Sequence, residues 1–164
     1  LYDGTPAYEQ QYLRTYAQSP RSLFVLALDG DRVVGVSTGI PMADETDAFK
    51  APFVAAGLAP AGIFYFGESV LLPQYRGQGI GVRFFEERER YALAGGQCRY
   101  TAFCAVERPA DHPLRPPGYQ PLDAFWTHRG YRRHPEFATT YRWKDIDQPA
   151  ETDHPMTFWL KAWR

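Results

Sequence analysis

The chain has 164 residues, with 18 Lys and Arg against 19 Asp and Glu, four His and two Cys. That length suits one domain, spanning residues 1–164, with a core that needs no staples. The near-balance of charge argues against nucleic-acid binding by general electrostatics. No apolar run approaches the ~20 residues that span a bilayer, so no membrane partner is expected. Cys98 and Cys104 lack a Cys-x-x-Cys spacing, no signal peptide is visible, and a reducing, cytoplasmic compartment is the expectation. His112, His128, His134 and His154 show neither zinc spacing with cysteine nor a His-Glu-x-x-His run, so no metal is assigned.

In chain order, Pro6 to Ala17 predicts a helix, with Tyr8, Tyr12 and Tyr16 at four-residue spacing, broken by Ser19-Pro20-Arg21. Leu23 to Leu28 and Val33 to Thr38 predict an antiparallel hairpin across Asp29-Gly30-Asp31. Ala43 to Gly62 opens on Asp44, Glu45 and Asp47 and reads as a loop with a short helix around Pro52. Ile63 to Leu72 is an apolar, aromatic and β-branched run between Gly62 and Pro73, the pattern of a buried strand. A helix follows Arg76-Gly77-Gln78-Gly79-Ile80-Gly81, with Ile80, Phe84, Phe85, Tyr91 and Ala92 on one face and Arg83, Glu86, Glu87 and Arg90 opposite. Gly95-Gly96 stops it, and Tyr100 to Val106 predicts another strand. Four prolines make Glu107 to Gln120 an extended connection, before a short helix over Pro121 to Arg129. Tyr131 to Ile146, interrupted near Pro135, and Met156 to Trp163 predict the last strands.

Strand, glycine turn and helix together point unpaired backbone N–H groups at an anion, and the glycines let that backbone approach it closely. An ordinary glycine turn is the bland reading of the same residues. A P-loop is excluded because no Gly-Lys-Ser/Thr follows, and a dinucleotide fingerprint because Val82 and Phe84 stand where its third glycine belongs. The run Val70-Leu71-Leu72-Pro73, with Tyr75 and then Arg-x-x-Gly-x-Gly from Arg76 to Gly81, resembles the central motif of the GNAT N-acetyltransferase superfamily. The resemblance implies an α/β (α+β) fold: a twisted, mixed, mostly antiparallel sheet flanked by helices, its central strands splayed to admit acyl-coenzyme A. It implies that Arg76, Gly77, Gln78, Gly79, Ile80, Gly81 and Val82 hold the pyrophosphate. Val70, Leu71 and Leu72 would offer backbone groups to the pantetheine arm. Only Val70 to Gly81 is specific. The family has one more strand and helix in front, which leads to the expectation that about 30–50 residues precede Leu1.

Acyl transfer from a thioester to an amine needs a base for the amine, donors for the oxyanion and a proton for the thiolate. Glu68 lies on the central strand, on the alternating face of Phe66, Val70 and Leu72, where burial would raise its pKa toward that of a base. A structural hydrogen bond or ion pair inside the sheet is the competing role. Many GNAT enzymes carry a tyrosine as acid where this chain has Phe125-Trp126-Thr127-His128-Arg129-Gly130-Tyr131. Trp126 stands at that position, still placed to line the cofactor, but its indole N–H cannot give up a proton near neutral pH. Tyr131 is the leading substitute acid; Tyr119, His128, Cys104 and His112 are others, each with a plain packing or surface reading. Charged residues from Glu107 to His112 follow the strand end as candidate substrate contacts, and the acidic run Asp44 to Asp47 as an attractor of cations. The function expected is acetyl transfer from acetyl-CoA, or another acyl-CoA, to a small-molecule primary amine, by direct attack because no cysteine is placed as nucleophile. A non-catalytic acyl-CoA sensor is the alternative, and a protein-lysine transferase a third. A homodimer is left open.

Overall fold

The computed structural model describes residues 1–163. Helix α1 (Pro6–Gln18) starts at Thr5, whose hydroxyl accepts the Tyr8 N–H, with Pro6 in its first turn. Strands β1 (Leu23–Asp29) and β2 (Arg32–Pro41) form the expected hairpin, turned by Gly30 at φ 57°. Helix α2 (Asp47–Ala55) buries Phe49 and Phe53. Strand β3 (Ile63–Leu71), a 3-10 turn (Pro73–Tyr75), α3 (Ile80–Ala94) and β4 (Tyr100–Val106) form the middle of the chain. After an irregular connection come α4 (Asp123–His128), β5 (Arg132–Trp143) and β6 (Thr152–Ala162).

The sheet runs β1-β2-β3-β4-β6-β5. β3 and β4 pair in parallel, joined by the crossover that α3 supplies, and the other neighbouring pairs are antiparallel. One face packs on α1 and α2, through Tyr16, Phe49, Phe53, Tyr65, Phe158 and Leu160. The opposite face packs on α3 and α4, through Phe64, Phe66, Phe85, Phe103, Tyr131 and Trp159. The period-two alternation of β3 and β6 distributes their aromatics between the two layers.

Helix α3 departs from the predicted division of faces. Phe84, Phe85, Arg88, Glu89 and Ala92 are buried, whereas Tyr91 is partly exposed. Glu89 ties three elements together: it accepts from Arg129 at 3.0 Å, Lys161 at 3.1 Å and the Tyr131 hydroxyl at 3.2 Å. Arg88 lies over the rings of Phe66 and Phe85, donates to the Phe84 carbonyl at 3.1 Å and reaches the Thr38 carbonyl at 3.4 Å. Paired and capped in this way, charged side chains can occupy a core stripe that would otherwise exclude them.

Candidate active site

The β3–β4 ladder is short. Ile63, Phe64 and Tyr65 pair with Tyr100, Thr101 and Ala102, and there the pairing ends. Beyond it β3 stays with β2 as far as Leu71, while β4 stays with β6 as far as Val106. The two strands therefore diverge, leaving facing backbone edges between Gly67–Leu71 and Phe103–Val106. An extended ligand with amide groups can bond to such edges as a strand would.

At the far end of β3 the chain turns into α3. Tyr75 fixes that turn to the hairpin by donating to Asp29 at 2.6 Å, and Arg76 Nε donates to the Leu71 carbonyl at 3.2 Å. Gln78 donates to the Gln74 carbonyl at 3.0 Å. Gly77 and Gly79 have φ of 75° and 83°, left-handed values at which an L side chain is strained, so glycine is required there. Gly79 is the N-cap of α3, and its carbonyl accepts from Arg83 N–H at 3.1 Å. The N–H groups of residues 77 to 82, including those of Ile80, Gly81 and Val82, find no partner among the described residues. Consecutive free donors at the positive end of a helix dipole make a cradle for a phosphate-type anion. Val70 is exposed and Leu71 and Leu72 are half-buried along the approach to it.

Glu68 requires a correction. Between Ser37–Ser69 and Gly39–Phe66 the register slips, so that Gly67 and Glu68 together oppose Thr38. This is a β-bulge, and it resets the alternation. Phe66 faces α3, but Glu68 is turned to the α1 side, where its charge acts on Tyr12 and Tyr16. The bulge is held by Thr38, whose hydroxyl accepts the Glu68 N–H at 2.9 Å. A side chain at Gly67 would run into the Tyr16 hydroxyl, which explains glycine at the bulge. The Glu68 carboxylate is open to the cleft yet crowded by protein, has no ion-pair partner among the described residues, and is held above the usual carboxylate range by desolvation and then by Glu9. It can accept a proton from an amine arriving between β3 and β4.

Tyr131 also requires correction. It is 1% exposed, among Phe66, Phe85 and Phe103, and its hydroxyl is shared with Thr101 at 2.8 Å and Glu89 at 3.2 Å. Burial and the Glu89 charge push its pKa up, and the hydroxyl bonds inward, so it is a core residue rather than an acid for the cleft. Trp126 is half-buried on α4 against Phe103 and Trp159, with ring centroids 5.0 and 5.1 Å away. Cys104 is packed on the α1 side, shares a hydrogen bond with Tyr65 at 3.0 Å, and burial pushes its thiol up to about 12. That is an inert thiol. His112 Nδ1 accepts the Leu114 N–H, Tyr119 stacks under Arg115, and His128 is exposed on α4.

Two further expectations change. Arg108, a candidate substrate contact, is instead clamped bidentately to Asp145 at 2.6 and 2.8 Å, and Glu107 takes Arg133 at 2.6 Å. In the acidic run, Glu45 is buried rather than solvated. Sequence reasoning missed the burial of Glu45 and the parts played by Thr38, Arg88 and Glu89. A signal existed for the last two, since positions 84, 85, 88, 89 and 92 form one helical stripe. For Glu45 and Thr38 there was none.

The acetyltransferase (GNAT) family model matches residues 2–116. Among solved structures, Chaetomium thermophilum Naa20 in complex with a bisubstrate analogue superposes with a TM-score of 0.63 at 19% identity, covering 98% of this chain and 75% of that one. An IAA acetyltransferase from Bacillus cereus gives 0.58 at 14% identity, covering 99% and 87%. An aminoglycoside 6'-N-acetyltransferase complexed with coenzyme A gives 0.57 at 15% identity, covering 97% and 81%. Among curated proteins, none matches the chain. At these identities the structures speak for the fold alone, and the match of the family model over most of the chain carries the rest: the protein belongs to the GNAT acetyltransferase family.

Proposed function

We propose that this protein is an acyl-CoA-dependent N-acyltransferase that moves an acetyl group from acetyl-CoA to a primary amine of a small molecule. The observation that carries the reading is the divergence of β3 and β4, which sets a free-donor cradle at one end of the cleft and an unpaired carboxylate, Glu68, on its wall. The family uses acetyl-CoA, and the residues fit it. The N–H groups of Gly77 to Val82 suit a diphosphate, with Arg76 exposed beside them. The free edges of Val70, Leu71 and Leu72 suit an amide-bearing arm, and Trp126 offers an apolar wall. Acetyl-CoA supplies an activated thioester.

The chain's own contribution is positioning and proton removal. Glu68 takes a proton from the amine, directly or through one water, which exposes the nitrogen lone pair for attack. Its raised pKa brings the carboxylate nearer the proton affinity this requires. Cys104 is unsuited to carry the acyl group, so attack within a ternary complex is the route that remains. The thiolate leaves without a protein acid among the residues considered. That same lack of an acid favours a second reading, a non-catalytic acyl-CoA sensor. Thiol release from acetyl-CoA over a panel of amines separates them: release above the hydrolysis blank establishes an enzyme, and binding without release establishes the sensor.

A further inference from the structure

Glu45 is a buried carboxylate for which the transfer chemistry has no use. It is 5% exposed, accepts the Thr46 N–H at 3.0 Å, and has the Tyr16 hydroxyl beside it. Arg21 pairs with Asp44 and Lys50 with Asp47, and the Lys50 charge also acts on Glu45 without forming an ion pair with it. A carboxylate held away from water without a countercharge is costly, and a ligand cation is one way to offset that cost. Burial pushes its pKa up, while hydrogen bonds from Thr46 and Tyr16 and the charge of Lys50 pull the other way.

Glu45 lines a cavity of about 180 Å³ between α1, α2 and β5, together with Tyr8, Tyr12, Tyr16, Phe49 and Tyr141. No lysine or arginine lines it. Tyr8 donates to the Arg142 carbonyl at 2.9 Å, and Tyr12 and Tyr16 share one bond at 3.1 Å. Beside the polar side chains of Gln11, Thr15 and Thr46, the cavity offers a guest ring surface and one carboxylate. Rings pack around it at 5.4 Å (Tyr12–Tyr16), 6.5 Å (Tyr12–Tyr141) and 5.4 Å (Phe49–Tyr141). Aromatic faces with a desolvated carboxylate attract an organic ammonium ion. Tyr16, which lines the cavity, sets its hydroxyl against Gly67, the residue before Glu68 on β3, so the cavity and the cleft are neighbours.

We propose that this cavity binds a second ammonium group of the acceptor, remote from the amine that reacts, so that the substrate class is the aliphatic diamine. The inference rests on the transferase reading: Glu68 serves the reacting nitrogen, and Glu45 with the tyrosine rings anchors the distal one. The short aminoalkyl arm suits the cavity's size, and with no basic residue in its lining the cavity itself holds no ion-pair partner for Glu45.

The test pairs putrescine with butylamine and cadaverine with pentylamine, reading thiol release from acetyl-CoA. In the wild-type protein each diamine should exceed its chain-matched monoamine in kcat/KM by roughly 10–100-fold. In Glu45→Gln, with folding confirmed by circular dichroism, that ratio should collapse toward one, mainly through KM. Calorimetry with coenzyme A present, titrating putrescine into both proteins, reads the anchor without turnover. Amines turned over with no diamine preference in the wild type would overturn this inference and leave the transferase intact. Putrescine bound in a Glu45-dependent way, with no thiol released by any amine, would support the anchor and overturn the transferase.

Discussion

Gly79→Val separates the cradle from the fold. Gly79 sits at φ 83°, where an L residue costs about 1–2 kcal/mol, with β-branched valine at the upper end. No heavy atom lies within 4 Å of the position its Cβ would take, so strain is the whole folding cost. About 2 kcal/mol against a total stability of roughly 5–15 leaves the protein folded, with Tm lower by about 4–8 °C for a chain of this size. The ligand side loses far more. An isopropyl group over the open donors should break two charge-assisted bonds to the pyrophosphate, worth about 3–6 kcal/mol, or roughly 10²–10⁴ in Kd. Gly57→Val is the matched control: φ is 76° and the space around it is equally open, but it follows α2 rather than forming part of the cradle. It should show the same drop in Tm with coenzyme A affinity unchanged. Calorimetry and thermal melts read both proteins. Wild-type affinity in folded Gly79→Val would refute the cradle.

The other predictions concern the charges around the cleft. Glu68→Gln should lower kcat/KM by about 10²–10⁴ and abolish its acidic limb. In the wild type activity should fall as pH drops through the raised Glu68 pKa, and Glu9→Gln should move that limb downward because Glu9 is one of its causes. An unchanged limb in Glu68→Gln would remove this residue from the mechanism. Tyr131→Phe should cost about 1–2 kcal/mol of stability through the lost buried bonds while leaving kcat and its pH profile as in the wild type. A collapse of kcat in the folded variant would restore Tyr131 as the acid. Glu89→Ala should destabilise by about 3 kcal/mol in urea unfolding, since it strands Lys161, leaves Arg129 only the more distant Glu86, and takes one partner from the Tyr131 hydroxyl. A loss under about 0.5 kcal/mol would mean that these pairs are as weak as surface ones.

Local rules made much of this protein legible in its sequence. A proline and a threonine start α1, Asp-Gly turns the first hairpin, and an apolar run bounded by Gly62 and Pro73 is β3. The glycine spacing located the cradle, because left-handed φ and close backbone approach are properties of a few consecutive residues. What escaped depends on contacts distant in the chain. The bulge that turns Glu68 away from Phe66 exists because Thr38 meets two residues of β3, a matter of register between strands that no period within β3 reveals. Tyr131 stands near the motif's acid position as a substitute donor, but Thr101 and Glu89, on two other elements, already hold its hydroxyl. Arg88 and Glu89 could be buried only because α4 and β6 bring partners to Glu89, while β2 offers Arg88 a carbonyl. The sequence alone determined most of the elements, the family and the glycine turn ahead of α3, since these are encoded in short windows. Tertiary structure alone decided which carboxylates stand unpaired at the cleft, since burial and countercharge are set by whatever the fold packs beside them.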